Sequence, residues 1–210
     1  STVGKRIIKI RPLVYFLIAY FFYIDGVGTI IHMATIFGTN MGLDSNYLIV
    51  ILLVVQLVAF PFAILYGKMS VKYGVRNMIL FGIATYMVVC LVALGLEPLR
   101  LMGEIPLLLG FVVLAFLVGT AQGGIQALSR SFYGKLVPES SANEFFGFFD
   151  IFGKFSAVLG PFLFSLVWDS TQQVHLGIIP VLLMFVIGLL LFLKVPSSMK
   201  KITLGSHAEK

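Results

Sequence analysis

The sequence predicts an all-α membrane protein made of six transmembrane helices. Three observations carry that prediction. First, the 210 residues are 59% hydrophobic and only 11% charged, whereas soluble domains run at roughly 45–50% apolar and about 25% charged. Second, the apolar residues form long unbroken runs, not the alternating segments of about 10 residues that barrel strands need. A helix satisfies its own backbone inside lipid. Third, six such runs are present, each near the ~20 residues that cross a bilayer.

In chain order the spans are predicted at 13–37, 47–66, 78–96, 105–128, 145–168 and 176–193. A basic segment, 1–12, precedes this transmembrane domain of 13–194, and a tail, 195–210, follows it. The first span carries Asp25, Thr29 and His32, and the second carries Gln56. The third offers Thr85, Tyr86 and Cys90 but no charge. The fourth starts near Pro106, whose missing N–H is harmless in a first helical turn. It carries Gln122 and Gln126 and leads to Arg130. Ser141 and Glu144 have capping-box spacing ahead of the fifth span, which holds Asp150 and Lys154. The sixth is almost wholly apolar. Each set of three spans therefore has two members with polar groups to hide and a third suited to lipid. That pattern fits two three-helix inverted repeats around a central path.

Charge placement sets the topology. Of the 15 basic residues, thirteen fall in the N-terminal segment, the second and fourth connections and the C-terminal segment. Only Arg100 lies on the other side, and Lys154 lies within a span. The positive-inside rule then places both termini in the cytoplasm. The net charge of +6 reflects this topology and not a nucleic-acid partner. The expected partner is the bilayer. Contact with lipid headgroups is a weaker expectation. The lone Cys90 allows no internal disulfide. His32, His175 and His207 have no metal spacing, so no metal and no cofactor are expected. No nucleophile–base set is present either, and the chain is not expected to be an enzyme. The first apolar run is too long for the core of a cleavable signal, about 7–15 residues. The chain starts at Ser1, not Met, which suggests a piece of a longer protein.

Ionisable side chains inside a span mark function by default. Asp25, Gly28, Thr29 and His32 share one helical face, as do Gln122, Gln126 and Arg130, and Gly147, Asp150 and Lys154. Asp25 lies roughly 18 Å into its span at 1.5 Å per residue, near the midplane. Fourteen Phe, Ile, Leu and Val residues in 145–168 favour insertion by roughly 4–8 kcal/mol, and two central charges cost about 2.5–3.5 kcal/mol each. This span is therefore marginal alone and needs partners. Gly153 with Ala157, and Ser156 with Gly160, supply small residues for close helix contact, and Gly160–Pro161 predicts a kink. Two readings of Lys154 stand: an intrahelical pair with Asp150, or a contact that reaches Asp25 across the bundle. His32 reads either as a satisfied histidine near the outer end of its span or as part of the path. Gln56 reads as one interhelical hydrogen bond before a ligand contact, and Arg130 as a snorkelling interfacial side chain. The double glycine 123–124 favours cavity lining by Gln122 and Gln126.

The connection "GKMSVKYGVRN" resembles the cytoplasmic loop signature of the major facilitator superfamily. Gly67, Ser70, Lys72, Gly74 and Arg76 match it, and Val71 stands where aspartate is usual. "YIDGVGTI" and "GTAQGGIQALSRSFYGKLVPESSANEFFGFFDIFGKFSAVLGP" resemble the vacuole-effluxer-like (unknown major facilitator) branch of that superfamily. The resemblance implies twelve spans in the whole protein, of which these are the C-terminal six. They would form one half of a major-facilitator-type bundle. Its partner would be an N-terminal six-span half or a second copy. The implied function is secondary active transport of a small polar solute, with amino acids the first expectation, in the plasma (inner) membrane. The substrate or proton path is expected at Asp25, Thr29, His32, Gln56, Gln122, Gln126, Asp150 and Lys154. The cytoplasmic gate is expected at Gly67, Ser70, Lys72, Gly74, Arg76 and Arg130. The rival class is a non-transporting membrane scaffold or receptor module.

Overall fold

The computed structural model describes residues 11–137 and 142–196, and every element in them is helical. The elements are α1 (Arg11–Met41), α2 (Ser45–Tyr73), α3 (Val75–Leu94), a short α4 (Leu96–Met102), α5 (Glu104–Leu136), α6 (Ala142–Thr171), a 3-10 turn (Val174–Gly177) and α7 (Ile178–Leu193). Counting α3 with α4, and the 3-10 turn with α7, six segments are long and apolar enough to cross a membrane. The protein is an all-α, multi-pass membrane bundle. Ser141 of the expected capping box and most of the two basic terminal segments lie outside the described residues.

The helices outrun the apolar stretches. α2, α5 and α6 have 29, 33 and 30 residues, or about 44–50 Å at 1.5 Å per residue, against a hydrocarbon core of ~30 Å. Hydropathy sees only the part that lipid touches. The expected loop after the second span is therefore corrected. α2 runs on through Gly67, Ser70 and Lys72, and the whole connection is Gly74, at φ 86°. A left-handed residue ends one helix and starts the next with no Cβ penalty. At its other end α2 is capped by Asp44, whose side chain accepts the Asn46 N–H at 2.8 Å, which satisfies one of the free donors of a first turn.

The heaviest packing joins the second span to the fourth and the first to the sixth, followed by the third with the fourth and the first with the fifth. Exchanging the first three spans for the last three maps the second–fourth pair onto the fifth–first pair. It likewise maps the third–fourth pair onto the sixth–first pair. The packing thus follows the two-repeat arrangement predicted from the polar pattern.

Small residues set the closest contact. A Cβ at Gly119 would lie 2.9 Å from Val58 Cβ and 3.0 Å from the Val55 carbonyl oxygen, and one at Gly123 2.9 Å from Ala63 Cβ. A Cβ at Gly124 would overlap the Tyr66 ring. α5 therefore lays a glycine ridge directly on α2, the small-residue packing that membrane helices use where the hydrophobic effect gives no drive between them.

Candidate transport cleft

Where α1, α5 and α6 meet, they leave an open cleft of about 570 Å³. α1 contributes Tyr20, Gly28 and His32, α5 contributes Gln126 and Arg130, and α6 contributes Asp150, Gly153 and Lys154. His32, Gln126, Asp150 and Lys154 are all exposed on it. The i,i+4 spacings put each set on one face, and the bundle turns those three faces towards one space.

The ion pairing differs from the sequence expectation. Asp150 does not pair with Lys154 along its own helix. Its Oδ1 lies 3.2 Å from Arg130 Nη1 across the cleft. The guanidinium also sits over the Phe146 ring, 5.3 Å from its centroid. A planar guanidinium can stack on an aromatic face and present its fork to a carboxylate at once, which a lysine cannot do. Arg130 therefore holds the acid, and Lys154 makes no ion pair among the described residues.

Asp25 lies elsewhere. It is 0% exposed. Both carboxylate oxygens accept the Gly160 N–H, at 3.0 and 2.9 Å. Thr29 Oγ1 donates to the Asp25 carbonyl at 2.7 Å and reaches Oδ1 at 3.5 Å. A Cβ on residue 160 would overlap Thr29 Oγ1 and approach Asp25 Oδ1 to 2.9 Å. Only glycine lets the carboxylate reach this backbone. The acid fastens α1 to α6 immediately before Pro161, the residue that removes a backbone donor inside α6.

A second cavity, about 90 Å³ and walled by apolar side chains, lies within the bundle. Thr29, Gln56 and Gln122 border it. Gln122 Oε1 is buried with no hydrogen-bond partner among the described residues. The expected path residues thus divide. His32, Gln126, Asp150 and Lys154 share the cleft. Gln56, Gln122 and Thr29 border the inner cavity, and Asp25 lines neither.

The expected gate residues divide too. Arg76 Nε donates to the Val195 carbonyl at 2.9 Å and Nη2 to the Leu193 carbonyl at 3.1 Å. It caps the C-terminus of α7 with a cation, which suits the negative end of the helix dipole. Ser70 Oγ bonds the Gly67 carbonyl at 2.7 Å, and Lys72 lies over the Tyr73 ring. Arg76→Ala should lower stability by about 1 kcal/mol. Arg76→Lys should recover only part of it, having one point charge for two carbonyls. Thermal unfolding of the purified protein in detergent checks both.

An aromatic cluster escaped the sequence reading. Tyr20 stacks on Phe149 at 4.3 Å, Phe149 on Tyr133 at 4.7 Å, and Tyr133 on Phe16 at 5.8 Å. Tyr23 bonds Ser129 at 2.7 Å, and Tyr133 donates to the Phe145 carbonyl at 2.9 Å. These contacts tie the ends of α1, α5 and α6 that bear the basic segments, and Tyr20 and Phe149 line one end of the cleft. The spacing of Phe16, Tyr20 and Tyr23 was a usable signal, but aromatics in an apolar helix stand out little.

Residues 1–203 match the family described as "Vacuole effluxer Atg22 like". The chain belongs to this family. A Bacillus subtilis (strain 168) protein named "Uncharacterized MFS-type transporter YxiO" is 47% identical over 192 residues, covering 91% of this chain and 43% of that protein. "Autophagy-related protein 22" of Botryotinia fuckeliana (strain B05.10) is 29% identical, covering 81% of this chain and 30% of that protein. The Kluyveromyces lactis protein of the same name is 25% identical, covering 87% and 38%. The chain spans less than half the length of these relatives.

Proposed function

We propose that this chain is the C-terminal half of a secondary active transporter that moves a small polar solute by alternating access. The observation that carries the reading is the cleft: five exposed polar or charged side chains, two of them an Arg–Asp pair, face one space in the wall of a membrane bundle. Such groups are costly in lipid and belong on a water-filled path. The name of the Bacillus relative supports transport. Amino acids are the first solutes to test.

The missing wall is the N-terminal half of the same protein. Spans two and five are the least covered by the rest of the bundle, with 22% and 17% of their most apolar windows buried against 50% for the first. In this reading His32, Gln126, Asp150 and Lys154 contact solute or water, Asp25 holds the wall in shape, and Arg76 and Arg130 work at the cytoplasmic end. The protein sits in the plasma membrane with both termini inside.

Solute flux into proteoliposomes holding the full-length protein tests the function. Flux above protein-free vesicles supports it, and none, with the protein folded, contradicts it. Orientation has its own test. A cysteine replacing Lys72 should react with an impermeant maleimide in inverted vesicles and not in intact cells.

A further inference from the structure

We infer that the cleft selects solutes carrying one carboxylate, and that Lys154 is the residue that binds it. This deepens the transporter reading above and rests on it. The inference comes from a charge count on one surface. Among the described residues the cleft holds three fixed charges: Arg130, Asp150 and Lys154. Arg130 and Asp150 neutralise each other at 3.2 Å. That leaves the Lys154 ammonium, exposed on the cleft, with no ion-pair partner among the described residues.

A lone ammonium on a cleft within a membrane bundle attracts a counter-charge, because the low-dielectric walls focus its field into the cleft. Neither nearby acid answers. Asp150 is engaged by the stacked Arg130 guanidinium, and Asp25 is turned to the Gly160 N–H behind the wall. The remaining polar groups, the His32 ring, the Gln126 amide and the Tyr20 hydroxyl, supply hydrogen bonds and no negative charge. One uncompensated positive charge matches a monoanion. A phosphate monoester, at about −1.5 to −2, would leave negative charge unpaired beside Asp150. The volume of about 570 Å³ lies within the roughly 300–1,000 Å³ usual for small-molecule sites.

The test uses the full-length protein in proteoliposomes, with protein-free vesicles subtracted. The probes are a pooled panel of small monocarboxylates and amino acids, the same compounds as carboxamides, and small phosphate monoesters, all read by mass spectrometry. The carboxylates that enter should do so at least about tenfold faster than their carboxamides. Lys154→Gln should lower their entry by about tenfold or more, as expected for loss of a charge-assisted contact, and leave the thermal midpoint in detergent unchanged. Lys154→Arg should restore much of the entry. Carboxamides or phosphate esters entering as fast as carboxylates would overturn the inference and leave transport standing. So would full carboxylate entry in Lys154→Gln, which would assign the counter-charge to the other half. If no probe enters with folded protein, the transporter reading fails and takes this inference with it.

Discussion

Asp25→Ala is expected to lower stability by about 2–3 kcal/mol, while Asp25→Asn stays within about 1 kcal/mol of the parent. The alanine removes the acceptor for a buried backbone N–H of α6, and charge-assisted bonds of this kind contribute about 1.5–3 kcal/mol. Asparagine keeps one carbonyl oxygen at the same reach, so the Gly160 N–H still has a partner. Gly160→Ala should resemble the alanine variant, because its Cβ would overlap Thr29 and crowd the carboxylate. Flux should follow the same order, since α1 and α6 form two walls of the cleft. A residue that carried protons or bound solute directly would show another pattern: unchanged stability and lost flux in Asp25→Asn. Thermal unfolding in detergent and flux in proteoliposomes, measured on the three variants together, separate the two.

Gly119→Ala should cost about 1–3 kcal/mol, the usual penalty of overpacking a filled contact. The new methyl would meet Val58 Cβ and the Val55 carbonyl oxygen, and neither can swing aside, since one is the root of a side chain and the other is backbone. α2 must move off α5, and the same contact continues at Gly123 and Gly124. Gly67→Ala is the control. That glycine lies inside α2 with nothing within 4 Å of its would-be Cβ, so alanine should be neutral or stabilise by up to about 1 kcal/mol. Equal losses at 119 and 67 would remove the glycine ridge as the reason for this packing.

Much of the architecture was legible because a bilayer imposes one-dimensional rules. Length and apolarity fixed six spans, and the division of polar residues between spans predicted the repeat that the packing follows. Spacing placed His32, Gln126, Asp150 and Lys154 on inward faces. It did not say which faces meet. Periodicity fixes a side chain's angle on its own helix, but not the rotation of that helix against a neighbour. So the spacing left Lys154 to pair with Asp150 or to reach Asp25, whereas Asp150 meets Arg130 and Asp25 meets a backbone N–H that only Gly160 exposes. Gln122 and Gln126 share a face yet open onto different cavities. Arg130 took Asp150 because Phe146 holds its guanidinium in place, a contact that neither span shows alone. The reach of Arg76 to the end of α7 joins residues far apart in the chain, and local spacing carries no trace of it.

The central claim is that the α1–α5–α6 face borders a water-filled path in the complete protein. A cysteine at Ala157, exposed on the cleft, tests it most directly. Within this chain the single cysteine, Cys90, is buried and should give little background, and cysteines elsewhere in the full-length protein are replaced by serine. In the full-length protein, an impermeant maleimide should label residue 157 in the membrane, and a transported solute should slow that labelling. A cysteine at Leu183, exposed on the almost wholly apolar sixth span, should stay unlabelled. Labelling at 183 but not at 157 would place lipid where the account places the path.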